Sequence, residues 1–185
     1  MVIVFFVMIL LLLFTISIKC IFAFHNKLFM ETGSTNVSPD CLIVNSRIVN
    51  APQELVFRAW TEPNLIAKWW GPAGFTNTIL EHDLRPGGKW SFIMHGPEKG
   101  NYANECVFLE IIKPSFISWK RLSQPLFNIA ASFDKISDET TNVTFRMIFA
   151  TKEECDKVRG FAGEKNEENL DKLELELDRL KEAGE

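Results

Sequence analysis

Between residues 75 and 150 the apolar side chains recur at every second position, and between residues 164 and 181 at every third or fourth. That change of period constrains the chain more than any other feature. A period of two buries one face of each segment and leaves the other to solvent, as in an antiparallel sheet. The stripe of Leu170, Leu173, Leu177 and Leu180 among Asp, Glu and Lys marks an amphipathic helix that needs an apolar surface to lie on. A curved sheet holding that helix buries both faces at once. The expected class is α+β: a curved antiparallel sheet around a long C-terminal helix, with two short helices after the first strand.

Residues 41–50 form a β-branched run and read as the first strand. Pro52 suits a first helical turn, with Asn50 as the candidate cap. Leu55, Val56, Ala59 and Trp60 follow at helical spacing. Glu62-Pro63 restarts the chain for a second short helix carrying Leu65, Ile66, Trp69 and Trp70, and Gly71-Pro72 stops it. Six strands are expected, over 75–84, 89–95, 102–112, 116–122, 127–136 and 142–150. Arg85-Pro86-Gly87-Gly88 has proline second and glycine third, as a type II turn requires. Thr151 with Glu154 has the spacing of a capping box ahead of the last helix.

A chain of 185 residues holds one domain, or one domain and an appendage, and needs no disulfide or metal to staple it. Cys20, Cys41, Cys106 and Cys155 lie far apart with no CxxC, which excludes a zinc or thioredoxin-type motif and reads as free thiols in a reducing compartment. The formal charge is −4, and beyond Met30 it rests on 18 basic against 24 acidic residues, so no basic footprint for nucleic acid exists. The rings are 16 Phe and 5 Trp against a single Tyr, which suits a dry interior or an apolar pocket.

Residues 1–18 carry no charge, and residues 20–24 add a short apolar coda after Lys19. A bilayer-spanning helix needs about 20 apolar residues, so residues 1–24 are long enough to anchor the chain. They make a poor signal peptide, with no basic residue in front and no small-x-small site. Lys19, Lys27 and Arg47 follow the run, and the positive-inside rule then puts the downstream domain in the cytosol. A second reading stays open, in which translation starts at Met30 and the run is never made. Either way residues 25–40 read as a linker and 41–185 as the domain, cytoplasmic and with membrane contact only through 1–24.

Residues 47–75 (RIVNAPQELVFRAWTEPNLIAKWWGPAGF) resemble the opening of the activator of heat-shock-protein ATPase homologue (AHSA-type) family, within the START-like, or SRPBCC, helix-grip superfamily. DLRPGGKWSF resembles that family's Gly-Gly hairpin, and ENLDKLELELDRL its closing helix. The resemblance covers residues 41–185 and implies a START-like helix-grip fold; cofactor-type motifs are missing from the sequence, so no cofactor is expected. It implies a role in binding an apolar small molecule, or a protein partner such as a chaperone. Activators of the chaperone use two domains, and this chain is similar only to the C-terminal one.

The inward parity of the strands selects Trp90, Phe92, Met94, Phe133, Phe145 and Met147 as cavity-lining residues, with Leu173 and Leu177 facing them from the helix. The same side chains can equally meet and fill the core, and both readings stand. Trp60, Trp69, Trp70, His82 and Arg85 are candidates for the cavity mouth, with packing as the alternative for the tryptophans. An enzyme reading, of the cyclase or hydratase type, draws on Glu81, His82, Asp83, Arg85, His95, Tyr102 and Glu105. His82 and Asp83 are strand neighbours and face opposite ways, so they form no dyad. No nucleophile elbow, zinc motif, P-loop or dinucleotide fingerprint occurs, so no catalytic or metal residue is assigned.

Overall fold

A computed structural model describes residues 37–184. The candidate anchor, residues 1–24, and the linker up to residue 36 lie outside the described residues. Pro39–Glu185 forms one folded unit, and of the preceding unit, Met1–Ser38, only Val37 and Ser38 are described. Among the described residues no helix is long and apolar enough to cross a membrane.

The unit opens with one 3-10 turn, Pro39–Cys41, and strand β1, Leu42–Val49. Helix α1, Gln53–Thr61, begins two residues later than an Asn50 cap would place it. Pro52 is itself the capping residue, extended at φ −57° and ψ 145°, and its carbonyl accepts from Val56 N at 3.1 Å. Asn50 takes no part in that cap; its carbonyl instead receives the Lys181 ammonium at 2.7 Å. Glu62 is extended because a proline follows it, and this splits α1 from α2, Pro63–Trp69. The Trp69 indole N–H donates to the Ala59 carbonyl at 2.9 Å, so the two short helices are tied together. Gly71, at φ +99°, turns the chain away from α2.

Six strands follow: β2 (Thr76–His82), β3 (Lys89–His95), β4 (Asn101–Ile112), β5 (Phe116–Arg121), β6 (Asn128–Lys135) and β7 (Thr141–Ile148). All pairings are antiparallel, in the order β1-β7-β6-β5-β4-β3-β2. The two helices thus carry the chain from one edge of the sheet to the other. The hairpin between β2 and β3 is the expected type II turn, with Gly88 N donating to the Arg85 carbonyl at 2.8 Å and Gly87 at φ +78°. Bulges at Ile79/Glu81 and Phe108/Glu110 push Leu80 and Leu109 outward and bend the sheet.

Helix α3, Lys152–Glu182, runs 31 residues without a break, passing straight through Gly160 and Gly163. Thr151 caps it, its hydroxyl accepting from Glu154 N at 3.2 Å. Leu170, Leu173, Leu177 and Leu180 are buried against the inner face of the sheet and the short helices. Arg47 of β1 meets Glu167, Asp171 and Glu174 along the same helix. Trp60 lies at the centre of the closed end, 4.8 Å from Trp69 and 5.3 Å from Phe133 between ring centroids.

Candidate functional site

The leucine stripe of α3 does not run its whole length. One turn before Leu170 and Leu173 the inward positions are Asn166 and Asn169, with Ala162 beyond. These side chains are shorter than leucine and fill less of the space, and a half-open cavity of about 140 Å³ remains between helix and sheet. Its floor is a row across four strands. Cys106 faces Arg121 in register, Trp119 faces Ile129, and Ile129 faces Met147. Phe92 and Phe145 complete that apolar wall.

The mouth is built by the end of α2. Trp70, Gly71 and Pro72 border the opening opposite Met94. A side chain on Gly71 would come within 3.1 Å of the Met94 methyl, so the glycine lets the loop approach. The loop is fastened to α3. The Lys172 ammonium donates to the carbonyls of Gly71 at 2.9 Å and Phe75 at 3.0 Å, and the Glu168 carboxylate accepts from Ala73 N at 2.9 Å. Burial lowers the pKa of Lys172 from its ordinary value.

Four polar groups reach the cavity with different commitments. Asn166 is held, donating to Asn45 Oδ1 at 3.0 Å and to Met147 Sδ at 3.4 Å. Asn104 donates to the Tyr102 carbonyl at 2.8 Å. The Oδ1 of Asn169 is buried and has no hydrogen-bond partner. Arg121 is half-buried, with Nε donating to Ser123 Oγ at 3.1 Å and Nη2 to the Gln124 carbonyl at 3.1 Å. Cys106, beside it, has its thiol pushed up to about 12, by burial first, against a smaller lowering from Arg121.

Of the residues selected from the sequence, Phe92, Met94, Phe145, Met147 and Trp70 meet at this cavity. Trp90, Phe133, Leu173 and Leu177 share their parity but are packed into the closed core. Trp60 and Trp69 are likewise core residues. His82 packs edge-on against Trp90 and Phe108 at the hairpin end of the sheet, and Arg85 pairs with Asp83 at 2.8 Å on the hairpin itself. Neither lines the cavity. His95 bridges Thr78 and Asn101 at 2.9 and 2.6 Å, and Glu81, Tyr102 and Glu105 face solvent. The enzyme candidates are therefore spread over the sheet rather than gathered. Among the described residues no cluster of His, Cys, Asp or Glu could hold a metal.

Trp119, Arg121, Phe127, Ile129, Cys106 and the three asparagines, Asn104, Asn166 and Asn169, were not selected from the sequence. The signal for β5 was present: Ile117, Trp119 and Arg121 alternate, so a tryptophan and an arginine share the inward face.

A family model described as Activator of Hsp90 ATPase homolog 1-like protein matches residues 50–178. No functionally curated protein matches the chain. Several solved structures share the fold. One, a protein from Nitrosomonas europaea, is 22% identical, covers 77% of this chain and 97% of its own, and superposes with a TM-score of 0.70. A protein from Arthrobacter aurescens is 18% identical over 76% of this chain and 87% of its own, with a TM-score of 0.71. The AHSA1 protein from Silicibacter pomeroyi is 16% identical over 74% of this chain and 97% of its own, with a TM-score of 0.62.

Proposed function

Since the chain belongs to the Activator of Hsp90 ATPase homolog 1-like family, with the helix-grip fold of the START-like group, we propose that it binds one small apolar molecule between α3 and the sheet. The observation that carries this reading is the half-open cavity of about 140 Å³, lined mainly by apolar side chains and bordered by the loop after α2, which Lys172 fastens to α3. An engineered apolar cavity of about 150 Å³ admits benzene, so the space suits a single ring or a short branched chain and is too small for a lipid tail. Burial of each methylene of such a ligand contributes about 0.8 kcal/mol. The role is binding rather than chemistry, because the titratable candidates lie on the hairpin and on the strand surfaces, away from the cavity.

Calorimetric titration of the full chain with benzene and indole tests the reading. Saturable binding to one site is expected, and Met94→Trp, which fills the mouth, is expected to abolish it while the circular dichroism spectrum persists. Absence of saturable binding to the unaltered protein contradicts it.

A protein partner is a second reading, favoured by the outer face of edge strand β1, where Val44 and Ile48 are 51% and 60% exposed. Capture of a chaperone by the full chain, lost in Val44→Lys with Ile48→Lys, supports it; capture that survives both changes does not.

A further inference from the structure

Among the described residues the arginine of the cavity wall meets no carboxylate. Arg47, Arg58, Arg85, Arg159 and Arg179 each meet a carboxylate. Arg146 has only the Ser132 hydroxyl, at 3.4 Å. Arg121 differs from Arg146 in lining the cavity, on the inward parity of β5 behind Ile117 and Trp119. A guanidinium has five N–H donors. Two of those on Arg121 go to neutral oxygens, of Ser123 and Gln124, and its Cζ lies over the Phe127 ring, 5.3 Å from the centroid. The ionisable group beside it, Cys106, stays a neutral thiol near pH 7 because burial holds it up at about 12. A positive charge on an inward position is costly unless an anion accompanies it. Across the cavity Asn169, 8% exposed, holds an amide oxygen with no partner.

We propose that the cavity is a site for a small aromatic or branched monocarboxylate, its carboxylate received by Arg121 and its apolar body resting on Trp119, Phe145 and Met147. The proposal rests on the binding reading above and specifies its ligand class. One unpaired guanidinium matches one carboxylate in charge and in its two-pronged geometry. The free Oδ1 of Asn169 is an acceptor and gives the carboxylate nothing, so the guanidinium alone receives the anion. Trp119 stands two residues before Arg121 on the same face, so ring and charge are recognised side by side.

The test is calorimetric titration of the full chain with phenylacetate, phenylacetamide, acetate and benzene. Phenylacetate is expected to bind one site on the order of 10- to 100-fold more tightly than the neutral amide, the range set by a hydrogen bond to a charged group. Acetate, lacking the ring, is expected to bind weakest. In Arg121→Gln the ratio of acid to amide affinity is expected to fall to about one, and Arg121→Lys is expected to restore part of it. Equal affinity for acid and amide on the unaltered protein overturns the proposal, whether or not the variants fold. So does an advantage for the acid that persists in Arg121→Gln. Benzene bound without the acid overturns the anion claim and leaves the apolar cavity standing. Failure of all four ligands overturns both.

Discussion

Two adjacent glycines at the β2–β3 hairpin serve different ends. Gly87 is at φ +78° with nothing within 4 Å of an added Cβ, so Gly87→Ala suffers from backbone strain alone, about 1–2 kcal/mol. A Cβ on Gly88 would lie 2.0 Å from the Asp83 carbonyl oxygen, so Gly88→Ala must move backbone and is expected to cost about 3 kcal/mol. Thermal melts of the two variants should rank in that order, and the reverse order contradicts the steric account. His82 sets a pH dependence. Its Nε2 is buried without a partner, and burial lowers its pKa from the ordinary value, against smaller raising effects from its backbone contact and Asp83. The unfolded chain then takes up a proton where the folded chain does not. Stability is expected to fall as pH drops below about 6.5, towards the lowered folded value. Urea unfolding at about pH 7.5 and about pH 5.5 measures that loss, and His82→Leu should shrink it; an unchanged loss contradicts the assignment. At this scale the sequence was legible in parity but not in depth. Phe92 and Trp90 obey the same alternation, yet only Phe92 reaches the cavity, because the short helices close the end of the sheet where Trp90 sits. Arg121 was hidden by its own chemistry: an inward charge goes against the apolar pattern that identifies a wall.

At the scale of elements, α3 does two jobs along its length. From Leu170 onward it seals the core with leucines, and the turn before leaves the cavity by presenting Asn166 and Asn169. The stripe was readable from Leu170 onward, since helical spacing alone reveals it. The start was readable too, from the Thr151 and Glu154 capping pair, but the stretch between carries no leucine stripe, and Gly160 and Gly163 lower its helical propensity. Packing overrides them. Cys155 is fully buried, and Arg159 donates to the carbonyls of Leu42 at 3.1 Å and Asp40 at 2.6 Å, which holds the first turns against β1. Gly160 is exposed, with nothing within 4 Å of an added Cβ and no positive φ. Gly160→Ala is therefore expected to stabilise the fold by about 0.5–1 kcal/mol, read as a raised melting temperature. A lowered melting temperature would show that this turn is not helical in solution.

For the whole molecule, the order of elements was legible because each change of period or turn signal falls between segments. The pairing of β1 with β7 was not, since no local signal joins residues about a hundred positions apart. That pairing places β1 under α3, where Asn45 and Arg47 hold the helix at the height that leaves the cavity open. The cavity is thus a consequence of the assembled sheet and helix, and no single segment contains it. Met94 at the mouth and Met147 on the floor are on different strands and report on it independently. With methyl-labelled methionine, NMR titration of the full chain with phenylacetate should move both resonances along one saturation curve with a common Kd. Resonances of Met94 and Met147 that stay fixed at saturating ligand, or that follow different curves, would contradict a single site between helix and sheet.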